Sequence, residues 1–118
     1  MDTRTTIAEL KEPVGDFVAD RNWGSYHNPK NLAMSIAIEA AEILEHFQWL
    51  DQEASWKRVE NPETRAEIAD ELADVLIYCL SFANQARIDL SDAIRAKLER
   101  NKARFPIGFI PTEQDEDS

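Results

Sequence analysis

The sequence predicts an all-α fold, a four-helix bundle-like single domain that assembles as an oligomer. Apolar residues recur at helical spacing over most of the 118 residues, and Asn-Pro pairs and aspartates that start helices separate the periodic stretches. This length suffices for one moderate core and is too short for two. Two of the predicted helices are apolar on two faces, which indicates contact with a second subunit in addition to the core.

The first helix is expected to begin after Thr5 or Thr6 and to run to about residue 21. Thr6-x-x-Glu9 has the form of a capping box, in which the two side chains satisfy free backbone amides of the first turn. The apolar residues keep helical spacing: Ile7, Leu10, Val14, Phe17 and Val18. Pro13 and Gly15 interrupt this pattern and predict a kink or two short helices.

A loop rich in aromatic residues follows at residues 22–28. Trp23, Tyr26 and His27 are of the types that stack on a nucleobase, but such rings also cover the end of a core, and both interpretations stay open. Asn28-Pro29 ends the loop as an N-cap followed by proline at the first helical position. This pair predicts the start of the second helix.

The second helix is predicted to continue through residues 32–50. Its core stripe consists of Leu32, Ile36, Ala40, Ile43, Phe47 and Leu50, and its flank of Ser35, Glu39, Glu42, His46 and Trp49. Met34, Ile38 and Ala41 make the opposite side apolar as well, whereas a simple surface helix would be polar there. His46 is interpreted as a surface histidine rather than a ligand.

A polar connection at residues 51–60, with room for a short helical turn, leads to a third helix at residues 63–86. Asn61-Pro62 repeats the signal of a cap followed by proline. The core stripe is predicted as Ile68, Leu72, Val75, Cys79 and Phe82, the edge as Glu67, Glu71, Asp74 and Tyr78, and a further apolar face as Leu76, Leu80 and Ala83.

The fourth helix is predicted at residues 89–104, where Asp89 starts it and Pro106 helps to end it. Its inward side consists of Leu90, Ile94, Leu98 and Phe105. Lys97 and Asn101 fall on the same arc, where a phosphate site competes with a snorkelling lysine and ordinary packing hydrogen bonds as the explanation. The helical domain is expected to cover residues 1–106, and the acidic tail 107–118 to be disordered.

Four carboxylates stand in the apolar stretches of the second and third helices. In Glu39-x-x-Glu42 and Glu71-x-x-Asp74, the members of each pair are about 60° apart around the helix axis and project to the same side. Clustered carboxylates repel one another and resist burial, so that they protonate or gather cations, and Mg²⁺ prefers such oxygen ligands. The alternative is a solvated helix face, because short acidic spacings are common by chance.

The charge of the chain limits its partners. Lys and Arg number 13 against 23 Asp and Glu, which gives a formal net charge of −10 and argues against nucleic acid or an anionic membrane as the main partner. A small anionic substrate can still bind to this acidic chain if metal ions bridge the negative charges of the protein and the substrate. Cys79 cannot form an internal disulfide, and no signal peptide or membrane-length apolar stretch is found, so the expected location is cytoplasmic.

Four short segments, taken in order, form a combination that is more specific than any one of them. They are Tyr26-His27-Asn-Pro-Lys-Asn31-Leu, Glu39-x-x-Glu42 followed by Phe47-Gln-Trp49, Glu71-Leu-Ala-Asp74-Val-Leu-Ile-Tyr78, and Lys97 through Asn101-Lys-Ala-Arg104-Phe-Pro106. Over about residues 16–106 the chain thereby resembles the MazG-like all-α nucleoside triphosphate pyrophosphohydrolases, most closely the dCTP pyrophosphatase branch. Many members carry a doubled glutamate at the first motif, whereas Ile38 precedes Glu39 here, as in the dCTP-like branch.

The resemblance implies hydrolysis of a nucleoside triphosphate to a monophosphate and pyrophosphate, with Mg²⁺ as cofactor. The substrate would be dCTP or a modified pyrimidine nucleotide, and the role nucleotide-pool housecleaning. The metal ligands would be Glu39, Glu42, Glu71 and Asp74, with Glu39 or Glu42 as the catalytic base. The family's usual assembly is a homo-oligomer, a dimer or a tetramer built as a dimer of dimers, whose site takes residues from more than one subunit.

The resemblance also implies substrate-binding residues outside the acidic motifs. Carried over position by position, His27, Trp49 and Tyr78 would surround the base or sugar. On the fourth helix, Lys97, Asn101 and Arg104 would meet the phosphates.

Two rival classes share these features. A carboxylate-bridged di-iron bundle requires Glu-x-x-His motifs, but neither His27 nor His46 lies three residues after an acidic residue. The second rival is a catalytically inactive helical oligomer with a regulatory or structural role. Release of pyrophosphate from any nucleotide would separate an enzyme from such a scaffold.

Overall fold

The computed structural model describes residues 1–111, and over that range the chain is all-helical with no strand. The helices are α1 (Ile7–Asp20), α2 (Pro29–Glu45), α3 (Gln52–Glu60), α4 (Pro62–Ala86) and α5 (Leu90–Arg104). The predicted all-α class is confirmed. Residues 1–111 contain five helices where four were expected, because the stretch between α2 and α4 forms a helix of its own.

The chain divides into two compact units, Met1–Arg87 with helices α1 to α4, and a second unit that begins at Ile88 and contains α5. Within the first unit, α4 is the central element, against which α1, α2 and α3 pack. Among residues 1–111, the buried residues are Val18, Leu32, Ser81 and Ala83. None of the described helices is long and apolar enough to cross a membrane.

Helix α1 begins as the capping box predicts. The side chain of Thr6 accepts a hydrogen bond from the backbone N–H of Glu9 at 3.1 Å. One continuous helix then passes through Pro13, so the expectation of two short helices is wrong. Proline lacks the N–H that helical bonding requires, but packing on α4 supports this stretch, where Asn84 Nδ2 donates to the carbonyl of Lys11 at 3.0 Å.

Helix α2 starts at Pro29 behind its cap Asn28, as predicted, but it ends at Glu45 and not near residue 50. The backbone N–H groups of His46 and Phe47 bond the carbonyls of Ile43 and Leu44, three residues earlier. These tighter turns end the α-helix because they use i→i+3 bonding. Residues 46–49 are turns and not α-helix, so helical spacing no longer places Trp49 on the flank of Glu39 and Glu42.

Helix α3 occupies the segment that was expected to be a polar connection. Asp51 is its N-cap and accepts from the N–H of Ala54 at 2.8 Å, while Lys57 and Arg58 occupy its last turn, where cations are favourable. Asn61 ends α3 and also caps α4, accepting from the N–H of Glu63 at 3.0 Å. Two strong caps and the dipole thus support a short helix that has little apolar periodicity.

Several apolar side chains remain exposed in the single chain. Ile38 on α2 is 59% exposed and Leu76 on α4 is 54% exposed, as expected for helices with a second apolar face. Leu72 was predicted in the core and is 51% exposed, so that assignment is wrong. On α5, Ile94 and Leu98, predicted to face inward, are also about half exposed. Oligomerisation stays a prediction to which these surfaces lend support.

The segment after α5 is described only as far as residue 111. It forms a turn in which the N–H of Phe109 donates to the carbonyl of Pro106 at 2.9 Å, and the rings of Phe105 and Phe109 lie 5.1 Å apart. Most of the acidic tail predicted to be disordered, residues 112–118, lies outside the described residues.

Candidate functional site

The four predicted carboxylates lie on the two helices that pack together. Glu39 and Glu42 belong to α2, and Glu71 and Asp74 belong to α4. The carboxyl group of Glu39 interacts directly with that of Glu42, and the charges of Glu71 and Asp74 are close enough to act on Glu39. The structure therefore brings together the four acids that the sequence singled out.

Glu39 has the most perturbed environment of this group. Burial raises the pKa of its carboxyl above the usual 4.5, and the hydrogen bond to Glu42 and the negative charges of Glu42, Asp74 and Glu71 raise it further. Its Oε2 atom is buried and has no hydrogen-bond partner among the described residues. The metal-free cluster therefore disfavours the charged form of Glu39.

The acids suit a hard divalent cation by their chemistry. All four offer oxygen ligands, and the Oε2 atoms of Glu39 and Glu71 are buried without a hydrogen-bond partner among the described residues. The mutual repulsion of the acids is of the kind that a bound cation relieves. Within residues 1–111, however, no three side chains of His, Cys, Asp or Glu are grouped closely enough to hold a metal ion. The donor set thus fits a metal, while the single chain does not present it as an assembled centre.

His46 is not the surface histidine that was expected. Its side chain is only 10% exposed, and its Nε2 atom lies 2.7 Å from Oε2 of Glu71, whose side chain is 25% exposed. The ring N–H is not aligned with that oxygen well enough for a regular hydrogen bond, so the contact is an ion pair when the imidazole is protonated.

A cavity of about 250 Å³ adjoins this contact. It is lined by Glu42, Glu45, His46, Arg58 and Glu71. Arg58 comes from α3, and its Nε is buried without a hydrogen-bond partner among the described residues. Sequence reasoning missed Arg58 because its segment was interpreted as a connection. The cap at Asp51 was the signal that would have placed it on a helix.

Two larger cavities lie at the aromatic loop. One of about 480 Å³ is lined by Trp23, Tyr26, His27, Asn31, Leu32, Met34, Ser35, Ile38 and Tyr78. The other, of about 440 Å³, is lined by Pro13, Val14, Phe17, Val18, Trp23, His27, Asp74, Ile77 and Tyr78. The rings of His27 and Tyr78 line both, with centroids 6.2 Å apart. Since Asp74 lines the second cavity, an aromatic pocket adjoins the acids.

His27 is held by a residue that the sequence did not single out. Its Nδ1 lies 2.7 Å from Oγ of Ser81, and Ser81 on α4 is only 2% exposed. Ser81 was passed over because a serine within an apolar helical stretch carries no sequence motif. A buried polar residue in such a stretch is nevertheless a signal, because it needs a hydrogen-bond partner.

Trp49 does not join the other predicted base-binding residues in this chain. It lies in the turn after α2, is 87% exposed, and lines none of the three cavities described above. Trp23, which the resemblance did not assign, lines both aromatic cavities. A substrate role for Trp49 stays a prediction.

The predicted phosphate ligands all lie on α5, in the unit that begins at Ile88. Lys97 and Arg104 are exposed, and Asn101 is half-buried. The guanidinium of Arg104 lies 5.0 Å from the ring centre of Phe105. Their role at a phosphate stays a prediction.

Comparison with known proteins identifies similar chains. The chain is 33% identical over 102 residues to dCTP pyrophosphatase 1 of Bos taurus, which covers 86% of this chain and 60% of that protein. It is 34% identical over 101 residues to dCTP pyrophosphatase 1 of Homo sapiens, covering 86% of this chain and 59% of that protein. The chain thus spans about 60% of the length of the curated relatives it matches.

A solved structure and a family match extend the comparison. The crystal structure of a pyrophosphatase from Archaeoglobus fulgidus DSM 4304 superposes with a TM-score of 0.79 at 40% identity, covering 84% of this chain and 91% of that one. Residues 34–110, which contain all four acids, match the MazG-like family. The chain therefore belongs to the MazG-like family.

Proposed function

We propose that this protein is a metal-dependent nucleoside triphosphate pyrophosphohydrolase that uses Mg²⁺ and releases a nucleoside monophosphate and pyrophosphate. The observation that carries the proposal is the carboxylate cluster of α2 and α4 beside an aromatic cavity, with Asp74 belonging to both. The relatives named dCTP pyrophosphatase 1 and the structural neighbour named a pyrophosphatase support the same reaction class.

The metal ligands in this proposal are Glu39, Glu42, Glu71 and Asp74. When bound, Mg²⁺ would neutralise charge on the phosphate oxygens and make water a better nucleophile. The acids supply the negative charge that attracts the cation. Because the whole chain carries a net charge of −10, a triphosphate would be repelled unless that cation accompanied it.

The general base in this proposal is Glu39 or Glu42. The two carboxyl groups interact directly, so a proton taken up by one can be shared with the other. The raised pKa of Glu39 makes its carboxylate a stronger base than an exposed glutamate. Interacting acids titrate as a set, so the proton is best assigned to the pair.

The base-binding part of the proposed site is the aromatic pocket. The rings of His27, Tyr78 and Trp23 line its two cavities, and aromatic rings bind nucleobases by stacking. The names of the relatives favour dCTP, with modified pyrimidine nucleotides as the related class. In this account Trp49 adds a ring from the turn after α2.

The remaining parts of the proposal concern phosphates, assembly and role. Lys97, Asn101 and Arg104 of α5 would contact phosphate oxygens as cationic and amide donors. The exposed apolar residues of α2 and α4 support a homo-oligomer, either a dimer or a dimer of dimers. A cytoplasmic enzyme that removes unwanted nucleotides is the role that fits this chemistry.

The test is a panel of canonical and modified nucleoside triphosphates, each assayed for monophosphate and pyrophosphate with Mg²⁺ and with a chelator. Mg²⁺-dependent release of pyrophosphate, fastest with dCTP or a modified pyrimidine nucleotide, is expected. Failure to hydrolyse any nucleotide would favour the inactive helical oligomer. Equal rates with a chelator present would exclude metal dependence.

A further inference from the structure

The hydrogen bond between His27 and Ser81 indicates how the proposed site recognises a nucleobase. Both residues belong to the unit Met1–Arg87, and their side chains join the aromatic loop to the middle of α4. Only one nitrogen of the imidazole is engaged, because Nδ1 lies 2.7 Å from Oγ of Ser81 and Nε2 has no hydrogen-bond partner among residues 1–111. The free nitrogen belongs to a ring that lines both aromatic cavities.

The direction of this hydrogen bond follows from the surroundings of Ser81. A serine inside a helix often donates to the carbonyl four residues earlier, which here is that of Ile77. Over the described part of the chain, no such bond is formed, and Nδ1 of His27 is the sole partner of Oγ. Since Ser81 is 2% exposed, its hydroxyl proton has Nδ1 as its available acceptor.

The opposite arrangement is disfavoured. If Nδ1 carried the proton and donated to Oγ, the buried hydroxyl proton would have no acceptor. The penalty for such an unsatisfied donor corresponds to a population ratio of roughly fivefold to a hundredfold. Neutral His27 therefore keeps its proton on Nε2. A protonated imidazole also carries a proton there, so Nε2 is a donor in both states.

We propose that Ser81 is a positioning residue that holds His27 as an Nε2–H donor, so that His27 reads a hydrogen-bond acceptor on the nucleobase. The inference rests on the proposed function, because it takes the aromatic pocket as the base site. The acceptor is a ring nitrogen or carbonyl oxygen, such as N3 or O2 of cytosine. An exocyclic amino group in that place would set donor against donor and would be rejected.

The first experiment observes the tautomer in the full-length protein without a nucleotide. A long-range ¹H–¹⁵N spectrum at about pH 8, where imidazoles are neutral, distinguishes a protonated Nε2 from a protonated Nδ1. The chain has two histidines, so the His46→Leu variant assigns the signals. Protonated Nε2 on His27, with partial loss of that state in Ser81→Ala, is expected. A protonated Nδ1 in the unaltered protein would overturn the proposal.

The second experiment measures the reading of the base. Thymidine triphosphate is compared with its difluorotoluene isostere, which has the shape of thymine without strong acceptors, through their inhibition constants against dCTP hydrolysis. Ser81→Ala should shrink the ratio of the two constants by about threefold to tenfold, because an unanchored imidazole donates less consistently. Cys79→Ala, a truncation at a half-buried position of α4, is the control and should leave the ratio unchanged.

The His27→Ala background separates positioning from packing. If Ser81 acts through His27, adding Ser81→Ala to His27→Ala should not change the ratio further. An unchanged ratio in Ser81→Ala alone, with the spectrum as expected, would overturn the role in base reading. If no nucleotide is hydrolysed, the proposed function is wrong, and the spectrum still decides whether Ser81 sets the tautomer.

Discussion

At the scale of single residues, Glu39 is the acid of the proposed site at which burial and repulsion by neighbouring negative charges combine. Its pKa is raised by burial first and then by Glu42, Asp74 and Glu71, so the folded metal-free protein disfavours its charged form. Folding stability from this group is therefore fully present below about pH 4.5 and is lost as pH rises through the raised pKa. A bound cation would remove that disadvantage at neutral pH.

Glu39→Gln tests whether the charged form of Glu39 destabilises the folded, metal-free protein. Because the amide cannot ionise, the metal-free variant should melt at the same temperature as the parent or higher at pH 7, with the difference vanishing near pH 4. Hydrolysis should fall by about two orders of magnitude or more. Thermal unfolding at several pH values and the pyrophosphate assay measure both effects. Glu12→Gln, at an exposed position of α1, is the control, and a large fall in the melting temperature of Glu39→Gln would mark Glu39 as structural.

Lys97→Met tests the proposed phosphate contact from α5. The change keeps the apolar stem and deletes the charge, and a cation that balances charge in the transition state acts on kcat more than on KM. We expect kcat to fall by roughly a hundredfold, with a smaller change in KM and little change in stability. The matched control is Lys102→Met, because Lys102 is exposed on the same helix and bonds Glu99 at 2.9 Å. Equal activity of the two variants would exclude Lys97 from the site.

At the scale of elements, α3 begins at its N-cap Asp51 and ends at the cavity that is lined by Glu42, Glu45, His46, Arg58 and Glu71. The capping bond from Ala54 N–H to Asp51 holds the first turn, and Arg58 in the last turn lines the cavity with Glu42 and Glu71. Loosening the helix at its start should therefore disturb Arg58 at its end.

Asp51→Ala tests this connection. Loss of the cap should lower the free energy of unfolding by about 1 kcal/mol, since such caps contribute roughly 0.5–2 kcal/mol. Activity should also fall, and chemical denaturation with parallel kinetics measures the two effects. Asp51→Asn, which keeps a capping oxygen, should behave as the parent does. If Asp51→Ala is as stable as the parent, α3 does not depend on its cap.

The elements also show which parts of the fold the sequence could predict. The starts of α2 and α4 were predicted correctly from Asn28-Pro29 and Asn61-Pro62, because caps and first-turn prolines act locally. The end of α2 was wrong, since the apolar spacing continued to Leu50 while the backbone changed to i→i+3 turns after Glu45. Periodicity records which face is apolar and does not record where the backbone changes its hydrogen bonding.

The sequence predicted those residues of the candidate site whose positions follow from helical spacing. Glu39 and Asp74 were found because acids within apolar stretches conflict with burial. Arg58, and the partners of His46 and His27, were not found, since these contacts join residues that are distant in sequence or lie on an unexpected helix. Long-range pairings of this kind need the packed structure.

At the scale of the whole molecule, the exposed apolar surface of α2 and α4 predicts self-association. Ile38→Glu with Leu76→Glu places charges on two sites that are more than half exposed, so the fold of the single chain should tolerate them. Light scattering should give the mass of a dimer or tetramer for the parent and a lower mass for the double variant. A monomeric parent at micromolar concentration would contradict the expected assembly.

In the proposed reaction, the acids of α2 and α4 support cleavage of a nucleoside triphosphate to a monophosphate and pyrophosphate. The most direct measurement is ³¹P NMR of dCTP incubated with Mg²⁺ and either the parent protein or Asp74→Asn. The parent should produce dCMP and pyrophosphate as the only products, and Asp74→Asn should be at least about a hundredfold slower. Formation of dCDP and orthophosphate, or undiminished turnover by Asp74→Asn, would contradict the account.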